Sequence, residues 1–184
     1  TEALVAGAHE LSQVRVVYAN GLHVYINGAV EESWEISLDE DTTYVLPPAS
    51  FLAHGPDGLL VYSADAGQGR IDFVQCDDYL YCDTRGERLN VGPITVRGAA
   101  VVTTHDWQID VYPIDTTEPI ELEPATIWPD RRLPPLRVLA FRDDADEPDV
   151  ESASVSGSTI SLRPQDDVYR YRITLPEWMV EPGN

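Results

Sequence analysis

Lysine is absent from this chain. Its 12 basic residues are all arginine and face 32 acids, for a net charge of −20. A surface this negative excludes nucleic acid and anionic membranes as partners, because polyanions are held by clustered Lys and Arg. It keeps a chain soluble, and it is compatible with cation binding or a salty habitat. Long hydrophobic runs are missing too. No stretch approaches the length that crosses a bilayer, so membrane insertion is not expected. Only two cysteines occur, Cys76 and Cys82. A disulfide across a tight hairpin in an oxidising compartment and two free buried thiols both fit that spacing. The four histidines, His9, His23, His54 and His105, show no ligand spacing around the sulfurs, so no zinc site is read. The start, Thr1-Glu2-Ala3-Leu4, is not a signal peptide and has no initiator Met. An excised or processed piece is therefore expected, with any targeting signal upstream.

Catalytic signatures are equally scarce. There is no Gly-x-Ser-x-Gly elbow. His105 and Asp106 are adjacent, and neighbours on a strand point to opposite faces. Gly67-Gln68-Gly69 precedes no helix and reads as a hairpin turn rather than a phosphate loop. Glycoside hydrolysis needs two carboxylates at a set separation, but among 32 acids any pair can be nominated, so none carries weight.

What is present is β patterning. Hydrophobic residues make up 43% of the chain, enough for a core, and 14 prolines and 12 glycines punctuate it. Residues 1–12 read as a short helix or the tail of one. Val14–Tyr18 and Leu22–Asn27 then flank Asn20-Gly21, an Asn-Gly hairpin turn. Trp34–Leu38 alternates apolar and polar, as a half-buried strand does. Phe51–His54 and Leu59–Ala64 flank a second turn at Gly55–Gly58. Further strands are expected at 70–74, 79–81, 91–103, 107–112, 136–142, 152–156, 159–163 and 169–175, with a loop at Asp83–Glu87. Prolines crowd residues 113–135, which reads as an extended linker or a sheet-edge crossing.

The expected fold is all-β. An antiparallel β-sandwich-like domain spans residues 1–118, and a small immunoglobulin-like β domain with a Pro-rich lead-in spans 119–184.

The run from Val14 to Asn27 resembles a recurring V-x-V-x-Y-x-N-G-L-x-V-x-x-N pattern. Together with Leu46–Ala53 and Asp83–Gly86, it is similar to β-rich C-terminal accessory regions of large bacterial glycoside hydrolases and related uncharacterised secreted proteins. The likeness spans residues 13–104. It implies an extracytoplasmic chain, secreted, periplasmic or at the cell surface. The implied partner is an upstream catalytic domain of the same polypeptide. Its motifs are turn and strand signatures, so it implies no catalytic residue here.

Three functional readings follow. The first is non-catalytic support of an upstream glycoside hydrolase domain. The second is a carbohydrate-binding module for a polysaccharide, since sugar rings stack on exposed aromatic faces. Trp34, Trp107, Trp128, Trp178, Tyr25, Tyr79, Tyr81 and Tyr112 are the candidates, and Trp34 and Trp107 sit at core phase. The preferred patch is Tyr79 and Tyr81 with Asp77, Asp78 and Arg85. The third is a structural or adhesive module holding Ca2+. Asp143, Asp144, Asp146, Glu147 and Asp149 give five acids in seven residues, although without the Gly and closing Glu of an EF-hand.

Overall fold

A computed structural model describes residues 12–40, 42–129, 135–142, 147–150, 154–156 and 158–174. The helix expected at the N-terminus and Trp178 lie outside these residues. The described chain is nearly all-β, and its sheet is antiparallel. It divides into two compact units, Thr1–Leu80 and Tyr81–Asn184. The position near residue 118, where a division was expected, falls inside the second unit.

The first unit contains β1 (Gln13–Val17), β2 (His23–Asn27), β3 (Trp34–Ser37), β4 (Thr43–Leu46), β5 (Ser50–His54), β6 (Leu60–Asp65) and β7 (Arg70–Cys76). The sheet order is β1-β2-β5-β6-β7, and β3–β4 forms a hairpin that rejoins β6. The expected Asn-Gly turn joins β1 to β2. Gly21 takes a φ of +86°, and its N–H donates to the Tyr18 carbonyl at 3.0 Å. Tyr25, Leu52, Tyr62 and Phe73 lie side by side across four strands and are all buried. Ile36, Tyr44 and Leu46 of the β3–β4 hairpin are buried as well. The Tyr44 ring packs 4.9 Å from Tyr62, and Trp34 meets Tyr25 edge-on at 5.7 Å. This aromatic layer is the unit's core, and removing one such ring costs about 3–5 kcal/mol.

The second unit contains most of β8 (Tyr79–Val91), then β9 (Ile94–His105), β10 (Gln108–Asp115), β11 (Ile120–Leu122), α1 (Pro124–Ile127), β12 (Arg137–Arg142), β13 (Asp149–Val150), β14 (Ser154–Ser156), β15 (Thr159–Leu162) and β16 (Val168–Thr174). The order is β8-β9-β10-β16-β12-β13, while β11 pairs with both β9 and β15, and β14 pairs with β15. The Pro-rich stretch is therefore not simply a linker. It ends β10, forms β11 and starts α1, where Pro124 occupies the first helical turn, a position that needs no N–H. Inward residues include Ile94, Val102, Val111, Leu122, Leu162, Tyr171 and Ile173.

Strand β9 changes partners midway. Ile94 and Thr95 pair with β11, whereas Ala99 to His105 pair with β10. The change falls at Gly98, whose φ is +98° and whose added Cβ would stand 1.7 Å from the Asp115 carbonyl oxygen. Only glycine fits there. The buried Thr84 hydroxyl accepts the Gly98 N–H at 2.9 Å and donates to the Glu87 carbonyl at 2.5 Å. The segment expected as a loop at Asp83–Glu87 is consequently part of β8, kinked at Arg85 and Gly86, which both have positive φ.

Candidate functional site: an open apolar sheet face

Side chains alternate faces along a strand, so residues paired across strands share a face. In the first unit the face opposite the aromatic core carries two rows. One runs Val16, Val24, Ala53, Val61, Val74. The other runs Val14, Ile26, Phe51, then ends in Ser63 and Asp72. Val14, Ile26 and Phe51 are 48%, 45% and 41% exposed, and the Val16 row is half-buried. An antiparallel sheet with one face in water normally alternates apolar and polar residues. Here β2 and β5 carry Val24, Ile26, Phe51 and Ala53 on this face while Tyr25 and Leu52 are buried on the other, and no charge stands among the eight apolar positions of the two rows in a chain of net charge −20.

A shallow hollow of about 360 Å³ lies on this face, lined in part by Val24, Ile26, Ala49 and Phe51. Its wall is built by polar residues that fold the chain. Asn27 is fully buried, and its amide donates to the carbonyls of Glu32 (2.8 Å), Leu46 (2.8 Å) and Pro47 (3.2 Å). Ser50 donates to the Pro47 carbonyl at 2.5 Å, and Arg70 donates to the Ala49 carbonyl at 2.9 Å. Asn27 and the Leu46–Ser50 segment both belong to the motifs read in the sequence. Their roles here are structural, and none presents a reactive group.

The outward face of the second unit is different in kind. Asp110 is buried and accepts two hydrogen bonds from Arg172, Nε to Oδ1 at 2.8 Å and Nη2 to Oδ2 at 3.0 Å. That fork raises the Arg172 pKa through the hydrogen bonds to Asp110. Gln108 adds a bond at 2.9 Å, and Arg170 stands 3.6 Å from the same carboxylate. The Arg170 guanidinium lies 3.8 Å over the Phe141 ring. The register of β12 on β16 slips between Phe141 and Arg142, leaving Tyr169 as an extra, unpaired residue, 45% exposed. Tyr169 borders a cleft of about 440 Å³ with Thr116, Thr117, Gln165 and Asp166.

Asp77, Asp78 and Tyr79 belong to the first unit, Tyr81 and Arg85 to the second. Tyr79 and Tyr81 do share one side of β8, with Leu80 and Cys82 buried on the other. Arg85 is exposed, and its N–H donates to Asp83 at 2.7 Å. Trp34 and Trp107 are half-buried, and Trp107 packs 5.6 Å from the buried Trp128. Asp143, Asp144 and Asp146 lie outside the described residues. Asp149 accepts from Arg142 at 2.9 Å, so its counter-charge is a guanidinium. Among the described residues no three His, Cys, Asp or Glu side chains converge.

Cys76 and Cys82 are both free thiols in the structure. Cys76 closes β7 beside the Asp77-Asp78 turn, and Cys82 lies three residues past Tyr79, the first residue beyond that turn. Burial pushes the Cys82 thiol up to about 12, which makes it inert at neutral pH.

The fold and the open face define an all-β, antiparallel protein with an uncovered apolar sheet surface. No family model, curated protein or solved structure matches the chain. No helix among the described residues is long and apolar enough to cross a membrane.

Proposed function

We propose that this chain is a non-catalytic accessory region of a larger, secreted carbohydrate-active protein. It docks an upstream glycoside hydrolase domain of the same polypeptide against the open face of β1, β2 and β5. The observation that carries this reading is the apolar row Val14, Ile26 and Phe51, exposed together on one face of those strands. Contiguous exposed apolar surface of this kind marks an interaction site. The occupant is an apolar protein surface, because the face offers no charge for a polyanion and no hydroxyl-binding groups for a sugar. The hairpin laid over the aromatic layer supports reading the first unit as sandwich-like. The short antiparallel strands from β11 to β16 suit the small immunoglobulin-like unit read over residues 119–184.

The test is Phe51→Glu combined with Ile26→Glu, made in the polypeptide that carries the upstream region. The melting temperature of that region falls and its boundary becomes protease-sensitive, while this chain on its own keeps its β-sheet spectrum. An upstream region that does not respond, or that encodes no catalytic-sized domain, contradicts the reading.

A second reading, carbohydrate binding, is favoured by one feature: the cleft beside Tyr169. An exposed phenol ring, two threonines, an amide and a carboxylate suit the apolar face and hydroxyls of a pyranose. Tyr169→Ala is expected to abolish retention on an insoluble polysaccharide if that cleft is the site.

A further inference from the structure

The four histidines have no ligand spacing in the sequence, but the sheet brings two of them together. His23 on β2 and His54 on β5 are paired residues, so their side chains leave the same face on neighbouring strands. Their ring centres are 4.7 Å apart and the planes are inclined by 43°. Both are half-buried at the edge of the aromatic core, with Tyr25 stacked 6.1 Å from His54.

We propose that His23 and His54 form a two-histidine site for a divalent first-row transition ion of the Zn2+, Ni2+ or Cu2+ class. The neutral imidazole nitrogen is the common protein ligand for these ions. Two nitrogens bound to one ion at about 2.0–2.1 Å stand roughly 3–3.4 Å apart, a separation compatible with ring centres 4.7 Å apart. The inclination of the planes lets nitrogens converge where parallel stacking would hold them apart. Both ligands sit on paired strands of one sheet, so little conformational freedom is lost on binding. An imidazole ligates in its neutral form, so occupancy of the site rises with pH. Arg15 sets the limits of the site. Its Nη2 lies 3.5 Å from His23 Nδ1, which leaves Nε2 for the ion and places a like charge beside it. Water completes the coordination. The bound ion ties β2 to β5 and stabilises the unit by mass action. This inference is independent of the accessory reading.

The experiment titrates Zn2+, and separately Ni2+, into the chain by calorimetry while the imidazole proton resonances are followed by NMR. One ion binds, and the His23 and His54 resonances respond together. His54→Gln and His23→Gln each weaken binding at least about tenfold, since even supporting groups around a metal contribute that much. Arg15→Gln tightens it. Ca2+, which prefers oxygen ligands, does not compete. The proposal is overturned if neither His23 nor His54 responds up to millimolar Zn2+, or if both substitutions leave affinity unchanged. Should a variant lose its β-sheet spectrum, the wild-type resonances decide alone.

Discussion

The outward faces of the two units handle exposure in opposite ways. On the first, Val14, Ile26 and Phe51 stand in one row with no charge among them. On the second, the corresponding surface of β10, β16 and β12 is closed by its own side chains. Asp110 is gripped by Arg172, and Arg170 lies across Phe141. The second face holds its charges by hydrogen bonds and stacking, although the buried Arg170 Nε has no hydrogen-bond partner, and the first leaves its apolar surface for something else to cover. Substitutions on the second face should therefore cost stability in the isolated chain, and those on the first should cost it only when the partner is present.

The largest expected effect is at Asp110. Asp110→Ala leaves Arg172 and Arg170 near a vacated, low-exposure position and is expected to cost about 3–5 kcal/mol in urea unfolding. A loss under about 1 kcal/mol would mean that the network is ornamental. Next is Asn27→Ala. It strips the carbonyls of Glu32, Leu46 and Pro47 of their donor, and a cost of roughly 2–3 kcal/mol follows from leaving buried acceptors unmade. The open face should become disordered around Ala49 in the same variant, seen as faster amide exchange in β5.

A smaller effect is expected with pH. The folded His54 pKa lies below its ordinary value, first through burial, then through His23 and Arg15. The unfolded residue titrates near 6.5, so this contribution is intact above about pH 6.5 and is lost as pH falls through the lower folded pKa. Stability should decline between neutral and mildly acid pH, and His54→Gln should flatten that slope. The smallest effect is Phe51→Ser in the isolated chain, within about 0.5 kcal/mol because the side chain is exposed. A large loss there would show that Phe51 is covered within this chain and would break the contrast between the faces.

The parts of this fold legible in the sequence are those fixed by neighbours. Asn20-Gly21 was readable because a hairpin turn depends on local φ alone. The apolar runs Val24–Ile26 and Phe51–Ala53 are legible as strands, and their lack of alternation is the sequence signal for a second buried or covered face. The kink at Arg85 was hidden, because it depends on Thr84 meeting Gly98 across β9. The histidine pair was hidden for the same reason. Only the register of β2 on β5 places His23 opposite His54. The patch proposed around Tyr79 and Tyr81 followed the parity of one strand correctly, but parity does not say which unit each neighbour joins.

The central claim is that the open face is covered by the upstream domain. The most direct test introduces Ile26→Cys in a Cys76→Ser background and measures the rate of thiol labelling. Buried Cys82 stays silent at neutral pH. Labelling should be fast in this chain alone and slow in the polypeptide carrying the upstream region. Equal rates in the two would show that nothing covers the face and would contradict the account.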